Sequence, residues 1–210
     1  VILDADCLCR HDYLTALECH FESRPATPGC SIRFEHSLRG VEPPALVEGI
    51  ARYELFLRYY VGALRFTGYP HAFQTVGSAM AVRSSVYQRQ GGMNRRQAGE
   101  DFYFIGKISR LGGFSELVDT LVYPSARASN RVPFGTGAYL REWLAGHDRH
   151  HRVYAPRIFA DLRQFFVDVP NFFSRPVRVR DLEKHLPERL CKFLAECDVE
   201  KRVSEINANV

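Results

Sequence analysis

Apolar and polar positions alternate along this 210-residue chain between short apolar runs and longer stretches with helical spacing. The opening "VILDADC" reads as a buried strand that ends at Asp4 and Asp6. "HDYLTALECHFES" follows with Tyr13, Leu14, Leu17 and Phe21 at helical spacing, and Pro25, Pro28 and Gly29 close that element. From about Pro44 to Phe66 runs the longest helical pattern, with Glu48/Arg52 and Glu54/Arg58 both at i,i+4 and the acid first. Its charges gather on one side and its Leu, Phe and Tyr residues cover the rest, as in a core-packing amphipathic helix. Gly77 to Val82 reads as a small-residue strand, and Ser84 or Ser85 caps a short helix stopped by Gly91-Gly92. Phe102, Ile105, Ile108 and Leu111 predict a further helix with Glu100 and Asp101 at its entrance. "FSELVDTLVY" predicts a strand or strand pair, followed by a basic loop and a Gly-rich approach to another helix. Beyond Arg149 the pattern is helical throughout. Alternating strands and helices up to about residue 125 predict an α/β fold, a mixed sheet with flanking helices, followed by a helical C-terminal region.

Composition narrows the choice without deciding it. A hydrophobic fraction of 46% with 25% charged residues is that of an ordinary globular chain. The formal net charge of only +4 gives little support to a nucleic-acid partner, and none is expected. Basic residues cluster locally at Gly146 to Val153 and Arg175 to Asp181, where solvated faces are the plain reading and anionic lipid or substrate phosphate the alternative. No run of residues reaches the length and apolarity of a membrane span, and "VILDADC" lacks the basic start and apolar core of a secretion signal. None of the six cysteines forms C-x-x-C, which predicts reduced thiols in a cytoplasmic protein. Peripheral association with the inner face of the membrane is the alternative location.

Three groups of residues carry chemistry. In an extended backbone Asp4 and Asp6 project to the same side, and two carboxylates held together suit Mg²⁺ or Mn²⁺. The plain alternative is a turn, where Asp caps backbone N–H groups. Glu100 and Asp101 stand at a helix entrance, where charge complementarity with the helix N-terminus is the plain reading and general-base chemistry the alternative, although that position favours the ionised carboxylate and lowers its pKa. Glu100 and partial burial would have to oppose that effect. Arg127 and Arg131 stand four apart before "PFGTG", where guanidinium groups and a Gly-bearing loop suit phosphate. "FGTG" is not a Walker loop, and neither G-x-G-x-x-G nor G-x-S-x-G is present.

In this order, D-A-D (Asp4 to Asp6), "GSAMAVR" (Gly77 to Arg83) with Gly91-Gly92, "GED" (Gly99 to Asp101) and "PSARASNRVPFGTG" (Pro124 to Gly137) resemble family 2 glycosyltransferases of the GT-A fold. The resemblance covers about the first 140 residues. It implies transfer of a sugar from a nucleotide-sugar donor of the UDP or GDP type to a hydroxyl of a glycan, lipid or protein acceptor, with inversion and with Mg²⁺ or Mn²⁺. By position Asp6 would be the metal ligand and Asp4 would touch metal or donor. Gly77 and Ser78 would line the donor sugar and acceptor pocket. Asp101 would be the base with Glu100 as its neighbour. Members of the family normally begin with a βαβ half that carries the base contacts, so the expectation is a partial GT-A fold that starts at D-x-D and is inactive or weakly active by itself. Residues 1–145 would form the catalytic and acceptor half, and 146–210 a helical extension. A noncatalytic binding or scaffold derivative of the fold, and a metal-dependent nucleotidyltransferase, are the alternatives.

Overall fold

The computed structural model describes residues 1–93, 99–131, 133–146, 152–173, 179–182 and 184–208. It contains two compact units, one made of residues 1–58 and 73–152, the other of 59–72 and 153–210.

The first unit is a four-stranded mixed sheet in the order β1-β4-β2-β3, where β1 is Leu8–Cys9, β2 Gly29–Phe34, β3 Met80–Val82 and β4 Ser115–Tyr123. β2 and β4 are parallel neighbours, and each has an antiparallel strand on its other side. Helices α1 (Tyr13–Ser23), α3 (Ser84–Arg89), α4 (Glu100–Ser109) and α5 (Thr136–Leu144) belong to the same unit, as does the first part of α2 (Pro44–Thr67). Tyr13 and Leu17 of α1 pack with Cys30, Ile32, Phe34, Leu117 and Val122 of the sheet. Met80 packs in a separate cluster with Val86, Phe104, Ile105, Ile108 and Phe114. Each such side chain contributes about 1.5–3 kcal/mol when withdrawn from water.

Two expectations change here. The opening apolar run is not a strand: Ile2 makes one isolated bridge to Met80, and pairing with β4 starts only at Leu8. Ile2 thus lies beside β3 and Leu8 beside β4, at the two edges of the sheet, so residues 3–7 cross the sheet's end between them. The second change is β2, whose residues follow the breakers Pro25, Pro28 and Gly29 and which the hydrophobic pattern does not announce. Every β2 residue except Arg33 is buried, so no alternation marks it. Gly29 admits β3 because a Cβ there would stand 2.8 Å from the Ala81 carbonyl oxygen.

α5 is held by α2 through a close fit. A Cβ on Gly49 would lie 2.6 Å from the Trp143 ring, and Trp143 Nε1 donates to the Ala45 carbonyl at 2.8 Å. In α4 the inward residues are Phe104, Ile105 and Ile108, while Phe102 and Leu111 are exposed, so the buried stripe is turned from the one the sequence predicts.

The second unit is helical: the end of α2, α6 (Pro156–Asp168), a 3-10 turn (Val169–Phe173), α7 (Val179–Leu182), α8 (Glu188–Glu196) and α9 (Val199–Asn207). Its own core joins Phe172, Leu182, Leu186, Leu190, Cys191, Leu194 and Val203. Asp161 receives both Nε and an Nη of Arg189, at 2.6 and 2.7 Å. No helix among the described residues is long and apolar enough to cross a membrane. Most of both basic clusters, 147–151 and 174–178, lies outside the described residues.

Candidate functional site

Strand direction gathers the chemistry at one end of the sheet. β2 and β4 finish there, leading to His36 and to the loop that carries Arg127. β1 and β3 start there, preceded by Asp4 to Cys7 and by Gly77-Ser78. Open sheets commonly bind ligands beyond the carboxyl ends of their parallel strands.

Asp4, Asp6 and Cys7 occupy a tight turn closed by the Cys7 N–H on the Asp4 carbonyl at 3.0 Å. This corrects the geometry expected of an extended strand. The two carboxylates come together because the backbone folds, and their oxygens and the Cys7 sulfur all lie within 4.8 Å of one another. Burial pushes the Cys7 thiol above its usual value, a hydrogen bond from Ser78 opposes this, and the charges of Asp4 and Asp6 add to the rise. Cys7 is therefore a neutral thiol at pH 7, and the donors that suit a hard divalent cation are the carboxylate oxygens of Asp4 and Asp6. No other cluster of three or more metal-ligating side chains occurs among the described residues.

Ser78 links this turn to the second carboxylate site. Its neighbour Gly77 lies directly against Asp101: a Cβ on Gly77 would be 2.6 Å from Asp101 Oδ2. Asp101 Oδ1 accepts the Phe102 N–H at 2.7 Å. Burial raises the Asp101 carboxyl above its usual 3.8, the Phe102 and Gly77 N–H groups pull it back, and the charge of Glu100 adds to the rise. Desolvation thus outweighs the pull of the helix N-terminus.

Arg127 is brought to Asp6. Its Nε and an Nη reach Asp6 Oδ2 at 2.7 and 2.6 Å. The sequence predicts one residue for metal and the other for phosphate, and the structure joins them as an ion pair. The loop is braced further along: Ser129 N–H donates to the Gly137 carbonyl, Arg141 Nη1 donates to the Ser129 carbonyl at 3.1 Å, and Phe134 lies over Gly99 before α4. Arg131 is exposed, and its backbone N–H donates to Ser129 Oγ at 3.2 Å. Arg83, the last residue of "GSAMAVR", stands at the opposite end of the sheet. It donates to the carbonyls of Phe21, Arg24 and Thr27, a structural role.

A buried network adjoins the site with no motif to announce it. His36, which follows β2, donates its backbone N–H to Glu54 Oε1 and places Nδ1 2.8 Å from the same oxygen. Its Nε2 is 3.2 Å from Thr136 Oγ1 at the start of α5. Burial pushes the Glu54 carboxyl up, but the His36 hydrogen bonds and Arg58 outweigh it and the net direction is down. Tyr53 is hydrogen-bonded to Thr136 and raised by burial, and the charge of Asp101 adds to that rise. The Tyr53 and Tyr139 rings lie 4.8 Å apart.

Compared with known proteins, the chain matches no family model, no curated protein and no solved structure.

Proposed function

We propose that this chain is the metal-binding and acceptor side of an inverting glycosyltransferase that uses a UDP- or GDP-type sugar donor. One observation carries the reading. The adjacent residues Gly77 and Ser78 join the two sites, Asp101 through the Gly77 backbone and the Asp4–Cys7 turn through the hydrogen bond of the Ser78 side chain to the Cys7 thiol. A base and a pair of cation-binding carboxylates facing one short glycine-bearing turn suit a reaction with a proton lost at one point and phosphate charge gained at another.

In this scheme Asp101 accepts the proton of the acceptor hydroxyl as its oxygen bonds to the anomeric carbon. The bond from that carbon to the donor phosphate breaks on the opposite face, so the configuration inverts and a nucleoside diphosphate departs. Gly77 lets Asp101 approach the backbone closely, and the raised pKa makes the carboxylate a better proton acceptor. Asp4 and Asp6 would hold Mg²⁺ or Mn²⁺, which supplies positive charge to the leaving phosphate when bound. Arg127 and Arg131 bring further positive charge from the loop.

The test is to incubate the chain with UDP- and GDP-sugars and Mn²⁺ and to follow the nucleoside diphosphate released. Metal-dependent release that EDTA and Asp101→Asn both abolish supports the reading. The Arg127–Asp6 pair favours a second one, a noncatalytic derivative whose acidic turn is neutralised from within. No release from any donor together with no Mn²⁺-dependent binding of UDP or GDP would favour that alternative, and pyrophosphate as product would indicate a nucleotidyltransferase.

A further inference from the structure

The pair between Arg127 and Asp6 joins two groups whose chemistry would be needed separately. Asp6 Oδ2 accepts from Nε and one Nη of the guanidinium, so the charge that would attract a cation is already compensated. Asp4, two residues away, is not in that pair, and its carboxylate remains within 4.8 Å of the other two ligand atoms. Arg127 and Asp6 are both partly exposed, with side-chain accessibilities of 53% and 40%, so neither is trapped and the pair can exchange. Two contacts fasten the loop to opposite sides of the site: Arg127 to the acidic turn, and Phe134 to Gly99 beside Asp101.

We propose that Arg127 is a resident counter-ion that competes with the divalent cation for Asp6, so that cation binding frees the guanidinium for the donor's diphosphate. This rests on the assignment of Asp4 and Asp6 as the cation site. Like charges exclude each other at one carboxylate oxygen, so a cation bound at Asp6 displaces Arg127, and the displaced guanidinium is then free to pair with phosphate oxygens. Cation binding and loop release become one equilibrium. The cation is bound more weakly than two free carboxylates would bind it, and a diphosphate that accepts Arg127 strengthens it again.

The experiment uses Mn²⁺ alone, with the free ion followed by its electron paramagnetic resonance signal as the 210-residue chain is added at low ionic strength. Arg127→Gln should bind Mn²⁺ about 1.4- to fivefold more tightly than the parent chain, the range set by an exposed ion pair of about 0.2–1 kcal/mol. Arg131→Gln removes the same charge from the same loop and should change affinity less. High salt should narrow the gain of Arg127→Gln, because exposed pairs are screened. Asp6→Asn separates the two levels of the argument. Parent-like Mn²⁺ binding by Asp6→Asn would remove the cation site itself. Binding lost in Asp6→Asn but unchanged or weakened in Arg127→Gln would leave the site standing and overturn the competition. An equal gain in Arg131→Gln would also overturn it, since net charge alone would then account for the effect.

Discussion

Asp101 is the residue on which the proposed chemistry turns, and its position imposes opposite demands on activity and stability. In the reaction scheme it accepts a proton, so Asp101→Asn should lower turnover by at least about a hundredfold with little change in donor affinity. The acidic limb of the rate profile should lie above the ordinary carboxyl value of 3.8, because burial raises this group. Its effect on stability has the reverse sign. A carboxyl whose folded pKa is raised favours the folded state most fully when protonated, below the unfolded value, and that contribution is lost as pH rises through the folded value. Near neutral pH, Asp101→Asn should therefore melt at a higher temperature than the parent, and the gain should shrink as the buffer is made acidic. Thermal melts across pH 3 to 8 would read this directly. A variant that melts lower at every pH would mean that the Asp101 hydrogen bonds to Phe102 and Gly77 outweigh its desolvation.

Among the elements, α2 and α5 show where the sequence is legible and where it is not. Helical spacing of apolar residues reveals α2, and the i,i+4 pair Glu54/Arg58 is visible on it; Arg58 does reach Glu54 at 2.6 Å. What spacing does not reveal is that Glu54 also faces inward to His36, 18 residues back, and that His36 reaches Thr136, 100 residues on. Those partners meet only because β2 ends where α5 begins, and β2 is itself hidden by burial on both faces. Asp4 and Asp6 are legible as a pair, yet through a turn rather than a strand, since the short run Val1 to Leu3 pairs only at Ile2. Glu54→Gln should cost about 1–3 kcal/mol, the range for buried donors left poorly matched. The Glu54 carboxyl is lowered in the folded chain, so its stabilising share is present above the unfolded value and is lost as pH falls through the lowered one. Denaturant titrations should thus show parent and Glu54→Gln converging in acid. Convergence at neutral pH instead would mean that Glu54 contributes nothing through its charge.

At the scale of the molecule, two compact units divide the chain, and each should respond to its own substitutions. Leu190→Ala opens the helical unit's core and should cost about 2–5 kcal/mol. Mn²⁺ affinity, read on the acidic turn of the other unit, should not move. A change there would show that Asp4 and Asp6 depend on the helical unit. Within the first unit the mixed strand directions leave a sheet with unlike ends. One collects Asp4, Asp6, Gly77, Asp101 and His36. At the other, Arg83 ties the carbonyls of Phe21, Arg24 and Thr27. A survey of single substitutions over this unit would then be polar along the strand axis. Near Arg83, loss of folding and loss of activity should rise and fall together. Toward Asp101 the two should separate, and variants that gain melting temperature while losing turnover should be found at that end.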